Sequence, residues 1–182
     1  MGLDIAMTAD RSTQFGELLE RHRAIVFKVA NTYCRDAHDR ADLAQEIAAQ
    51  LWRAFPAYDP ARTFSTWMYR IALNVAISFR RSSGQHERHA VALDPELHDV
   101  ATPAADDADE RVQLLYRCID AFDPLNRALL LLYLDDRSQR EIAEILGLTQ
   151  TNVATKIGRL KNRLREEIGH ALNHTEIEHG TR

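Results

Sequence analysis

Apolar residues along this chain recur at steps of three and four almost from end to end. Phe15, Leu18, Leu19, Val26, Val29, Ala30 and Tyr33 form one such series, which predicts an amphipathic helix starting near Ser12 or Thr13. A second helix is expected from Asp39, a good N-cap residue, to Phe55, with Leu43, Ile47, Leu51 and Ala54 as its stripe and Pro56 as its stop. After the loop from Pro56 to Arg62, a third helix begins near Thr63 and carries Phe64, Trp67, Met68, Ile71 and Val75 on one face. Three such stripes can share one core. From Ser82 to about Asp109 the periodicity fails. Gly84, Pro95 and Pro103 appear there, with the acids Asp94, Glu96, Asp99, Asp106, Asp107, Asp109 and Glu110, and the stretch reads as a solvated linker.

Helical spacing resumes at Val112, Leu115, Ile119 and Phe122. Asp123-Pro124 supplies an N-cap with proline in the first helical position. The run Leu129 to Leu134 follows, broken by Asp135-Asp136. Ser138 and Glu141 then have capping-box spacing ahead of Ile142, Ala143, Ile145 and Leu146. Gly147 can take the left-handed conformation that ends one helix, Leu148 plugs inward, and Thr149 caps the next helix. That helix buries Val153, Ile157, Leu160 and Leu164 and presents Asn152, Lys156, Arg159 and Arg163, with Gln150, Thr151 and Thr155 near its start. This is the layout of a helix-turn-helix. Short polar side chains at the start of a recognition helix reach base edges, and cations further along hold phosphates. An ordinary helical hairpin with a solvated basic face is the plainer reading of the same segment. Gly158, in mid-helix, costs about 1 kcal/mol relative to alanine, and close approach of another backbone is one reason for it.

The expected fold is therefore all-α: two small helical domains joined by a flexible acidic linker, the second a helix-turn-helix domain. The boundaries read as 12–82, 83–109, 110–168 and a tail over 169–182. Composition fits packed cores, since 45% of the 182 residues are hydrophobic. A net charge of -4 argues against nucleic acid until its distribution is considered. Arg62, Arg70, Arg80 and Arg81 fall in a stretch without acids, and so do Lys156, Arg159, Lys161, Arg163 and Arg165. Binding follows local potential, so the two basic stripes outweigh the mean. Cys34 and Cys118 have neither a bridging framework nor ligand spacing and suggest a reducing compartment. No stretch reads as a signal peptide or approaches the roughly 20 apolar residues of a membrane span. The expected location is cytoplasmic, without membrane insertion. No catalytic constellation, phosphate-cradling loop or metal-ligand set is legible, so neither enzyme activity nor a cofactor is expected.

The motifs resemble those of bacterial RNA polymerase sigma factors. Ser138, Glu141-Ile142-Ala143, Leu146-Gly147 and Asn152-Val153 are similar to the family's minus-35-reading segment, which departs here at Ala154 and Thr155, where the family often has lysine and serine. Asp42-Leu43-Ala44-Gln45-Glu46-Ile47, continuing to Leu51-Trp52-Arg53-Ala54-Phe55, resembles its polymerase-core-binding helix. Phe64-Ser65-Thr66-Trp67-Met68-Tyr69-Arg70-Ile71-Ala72-Leu73-Asn74, ending at Arg80-Arg81, resembles its minus-ten-binding helix. With only these two domains the chain looks like the extracytoplasmic-function group.

The resemblance implies that the chain binds core RNA polymerase, through the β′ clamp helices and the β flap, and directs it to promoter DNA. The linker then threads toward the RNA exit path, and an anti-sigma factor is the group's usual further partner. On this reading Asp42, Gln45, Glu46 and Trp52 contact the core. Tyr58, Arg62, Ser65, Thr66, Trp67, Arg70, Asn74, Arg80 and Arg81 open and hold the minus-ten element. Gln150, Thr151, Asn152, Thr155, Lys156, Arg159 and Arg163 contact the minus-35 element. The residues allow plainer roles as well: a solvated acidic first turn for Asp42 and its neighbours, and core for Phe64. Tyr58 is the better candidate than Trp67 for stacking an unpaired base, by expected exposure. Two other readings compete. One is a helix-turn-helix regulator that needs no polymerase. The other is a helical metal phosphohydrolase using His38-Asp39, for which no further ligands are found.

Overall fold

The computed structural model describes residues 2–87, 119 and 121–179. Among the described residues it holds seven α-helices and no strand: α1 (Gly2–Arg21), α2 (Ala24–Tyr33), α3 (Ala37–Ala54), α4 (Phe64–Glu87), α5 (Pro124–Leu134), α6 (Gln139–Leu146) and α7 (Gln150–His179). A single 3-10 turn, Phe55–Ala57, closes α3 at Pro56.

The helix expected from Ser12 to Tyr33 is two helices. Between them the backbone tightens to three-residue bonds: the Arg23 amide donates to the Glu20 carbonyl at 3.3 Å and the Ile25 amide to the His22 carbonyl at 2.9 Å. Steps of three and four continue through such a turn, so periodicity cannot reveal it. The turn re-aims the two halves. Phe15 packs edge-on against Trp52 and Phe55, with ring centroids 5.2 and 5.1 Å away, while Val29, Ala30 and Tyr33 enter the core.

The N-cap of α3 is Asp36 rather than Asp39. Its carboxylate accepts from the amides of His38 at 2.7 Å and Asp39 at 3.1 Å. Asp39 falls in the first turn, where a negative charge meets the positive end of the helix dipole. Leu43, Ile47 and Leu51 are fully buried, as the stripe predicts, against Val29, Tyr33, Met68 and Leu73.

The buried arc of α4 runs through Ser65, Met68, Tyr69, Ala72, Leu73 and Ala76, with Ile71 and Val75 only partly covered. It is turned from the expected stripe because α4 packs on two sides, against α2 and α3 and against the second helical unit. The helix also continues through Gly84 to Glu87, into the expected linker. The rest of that linker, and Cys118, lie outside the described residues.

The second unit starts as its capping chemistry dictates. Asp123 accepts from the amides of Leu125 and Asn126, both at 3.1 Å, with Pro124 next. Ser138 and Glu141 form a complete capping box on α6. Gly147 sits at φ 67°, and the Asn152 amide donates to the Thr149 hydroxyl at 3.2 Å to cap α7. Leu129, Leu132, Ile142, Val153, Ile157 and Leu160 close the core beneath. The two units touch: α5 lies against α2 and α4, and α6 against α4.

Candidate nucleic-acid interface

Three surfaces carry the residues singled out above. On α3, Asp42, Gln45, Glu46, Ala49, Trp52 and Arg53 recur at three- and four-residue steps opposite the buried Leu43–Ile47–Leu51 stripe. Asp42 and Gln45 are exposed, and Glu46 is half-buried beneath Gln50, whose amide donates to it at 2.8 Å. Asp42, Gln45, Glu46, Ala49 and Phe79 line a shallow groove. Trp52 keeps 41% of its surface exposed although its edge meets Phe15. The face is thus acidic with an accessible indole at its end. His38 contacts the Asp42 carboxylate at 3.1 Å on this exposed surface. No cluster of three metal-ligating side chains occurs among the described residues.

The second surface is the outward face of α4. Arg70, Asn74, Arg80 and Arg81 are exposed, and Ser78, which the sequence reading passed over, lies among them. Ser65 and Thr66 do not join it: both are buried, at 6% and 7% exposure. Thr66 was placed on the polar face from a stripe centred one residue away and Ser65 at the start of the helix, where Arg137 of the second unit now covers it. Arg62 is exposed but reaches across to Glu144 of α6 at 3.8 Å.

Tyr58, Phe55, Phe64 and Trp67 form one aromatic cluster, with Tyr58 centroids 5.3 Å from Phe64 and 5.0 Å from Trp67. The Tyr58 hydroxyl donates to the Arg62 carbonyl at 2.7 Å, and partial burial raises its pKa. Tyr58 is therefore held in place, and both it and Trp67 are partly buried. Phe64 is core, as expected.

The third surface is α7. Gln150, Thr151, Asn152, Thr155 and Arg159 are exposed, and Lys156 is half-buried. The Thr155 hydroxyl donates back to the Thr151 carbonyl at 2.9 Å, which leaves its lone pairs free to accept from a base amino group. Arg163 does not simply continue this face. Its guanidinium lies 4.8 Å from the centre of the Phe122 ring, on the flank of the helix. Gly158 and Asn162 stand on the outward arc instead, and neither was counted among the DNA-contacting residues. A Cβ at Gly158 would meet nothing within 4 Å among the described residues beyond its own stretch of helix.

Residues 18–86 match the Sigma-70 region 2 model and residues 113–164 the Sigma-70 region 4 model. Curated relatives agree. The ECF RNA polymerase sigma factor SigE of Mycolicibacterium smegmatis is 29% identical over 82% of this chain, and the chain spans 60% of that relative. The ECF RNA polymerase sigma factor SigW of Bacillus subtilis is 24% identical over 85% of this chain and 88% of its own length. The chain belongs to the sigma-70 family, in its extracytoplasmic-function group.

The fold of this sigma factor agrees with the solved structure of the sigma factor RpoE in complex with the anti-sigma factor NepR from Bartonella quintana. That chain is 18% identical, with a TM-score of 0.61 over 88% of this sigma factor and 97% of its own length. Region 2 contains the acidic α3 face and the basic α4 face, and region 4 contains the helix-turn-helix. No helix among the described residues is long and apolar enough to cross a membrane.

Proposed function

We propose that this sigma factor binds core RNA polymerase through the α3 face and directs it to promoters in the cytoplasm. Trp67, Arg70, Asn74, Arg80 and Arg81 hold the minus-ten element, and the N-terminal half of α7 reads the minus-35 element. It acts as a regulator without catalytic activity of its own. An anti-sigma factor is its further partner, as NepR is for RpoE. The acid-lined domain 12–82 and the helix-turn-helix domain 110–168 divide these tasks.

The observation that carries the reading is the segregation of charge between the outward faces of two helices that share one small core. Asp42, Gln45 and Glu46 face outward on α3, while Arg70, Asn74 and Arg81 face outward on α4 with no acid among them. A protein that only binds DNA gains nothing from the acidic face. A protein that bridges a basic protein surface and a phosphate backbone needs both. The test is the double variant Asp42→Arg, Glu46→Arg. Both side chains lie off the buried stripe, so the helical circular dichroism should be unchanged while association with core polymerase is lost. Undiminished core association by a folded double variant would overturn the assignment of this face.

A further inference from the structure

Asp135, at the C-terminal cap of α5, is the meeting point of the two helical units. Its carboxylate accepts from three directions: the Lys28 ammonium of α2, the Tyr69 hydroxyl of α4 at 2.9 Å, and the Arg137 guanidinium at 3.1 Å. The Asp135 side chain is 11% exposed. The Tyr69 ring is fully buried, with the Arg137 guanidinium 5.2 Å from its centroid. Arg137 also donates to the Ser65 hydroxyl at 3.3 Å. On the far side of the seam, the Tyr33 hydroxyl donates to the Pro124 carbonyl at 2.7 Å. Burial pushes the Asp135 carboxyl up, but its three donors more than offset this and hold its pKa below the ordinary value. Burial and the Asp135 contact push the Tyr69 phenol up.

These ties differ in weight. Arg62 and Glu144 are 59% and 48% exposed and lie 3.8 Å apart, so that pair contributes little. Asp135 and Tyr69 are largely shielded from water and their bond is charge-assisted, which makes it the strong one, while the Lys28 end of the cluster is half-exposed. Loss of that bond on separation would leave Tyr69 without its acceptor.

We infer that Asp135 is a latch: with Lys28 and Tyr69 it holds the free chain closed, with the helix-turn-helix unit seated on the start of α4. In the closed form Ser65 is buried and accepts from Arg137, and exposed Arg62 lies 3.8 Å from Glu144, so the start of α4 adds little to the exposed Arg70–Asn74–Arg81 face that binds DNA. Opening the latch exposes that start. The inference rests on the proposed minus-ten role of α4. The apparent affinity of the free chain for DNA then scales with the fraction that is open.

The test uses the full-length chain and two variants outside every proposed binding surface, Tyr69→Phe and Lys28→Ala. Tyr69→Phe keeps the ring and the charge, and Lys28 is half-exposed, so neither threatens the fold. Small-angle scattering should show a larger radius of gyration for both. Binding to fluorescein-labelled single-stranded DNA of random sequence should tighten, by roughly tenfold where opening is nearly complete. For Lys28→Ala the direction is decisive, because removing a positive charge by itself weakens DNA binding. Unchanged dimensions would overturn the latch, and so would expansion with unchanged, weakened or undetectable DNA binding. Run-off transcription with core polymerase keeps this separate from the sigma-factor reading: both variants should match the wild type there. Absence of transcript from the wild type itself would count against that reading and leave the measured dimensions standing.

Discussion

Individual positions on α7 separate roles that the sequence runs together. Asn152 and Arg159 are exposed on the outward side, Lys156 is half-buried, and Arg163 covers Phe122. The spacing of Lys156, Arg159 and Arg163 suggests a single phosphate-holding row. It cannot show that the flank of the helix meets an aromatic ring contributed from 41 residues upstream, because that ring arrives only through packing. Gly158 is the converse case. Its position was legible but its surroundings were not, and the described residues leave open space around it that gives no packing reason for a glycine. Gly158→Ala should therefore raise stability by about 1 kcal/mol, the ordinary helix-propensity difference. Thermal unfolding measures this, and an unchanged or lower midpoint would show that the site is constrained within the fold. Asn152→Ala, by contrast, should leave unfolding unaltered and change which minus-35 sequences are preferred, costing on the order of 1–3 kcal/mol on the best one.

Element boundaries follow capping chemistry more than hydrophobic spacing. Asp123, Ser138, Gly147 and Thr149 were legible because each motif is local and satisfies backbone groups within four residues. The start of α3 was misplaced because two aspartates three residues apart, Asp36 and Asp39, suit the first turn equally well from sequence. Only the backbone conformation distinguishes the cap from the dipole partner. At α6, hydrogen bonds from the Ser138 hydroxyl and amide hold the Glu141 carboxyl below its ordinary value of 4.5. A depressed carboxylate stabilises the fold above its unfolded pKa, and this stabilisation is lost as pH falls through the folded pKa. The capping-box contribution should thus be intact at neutral pH and fade only below about pH 4.5. Ser138→Ala should cost about 1 kcal/mol at pH 7 and flatten the acid dependence of stability below that value. Unfolding midpoints of wild type and variant across this range provide the check. A constant gap at every pH would contradict the coupling.

For the whole molecule, the two-unit architecture could be read directly from the chain, since each unit's stripes and caps are local. The seam between the units could not. Lys28 and Asp135 are 107 residues apart, and Tyr69 and Asp135 are 66 apart. Neither side's pattern marks its partner, and Tyr69 reads as part of a polar-flanked helix until the second unit covers it. The same seam explains why Ser65 is covered. The account as a whole rests on a division of labour: one acidic face for the polymerase, two basic faces for the promoter, and no specific initiation without the core enzyme. The most direct test is run-off transcription by purified core polymerase on a library of promoter fragments, with and without this chain. The account predicts specific transcripts only when chain and core are combined, from templates sharing a minus-35 and a minus-ten element, and none when Asp42 and Glu46 are both arginine. Tight, sequence-specific promoter binding by the chain alone, with no core-dependent transcript, would contradict it.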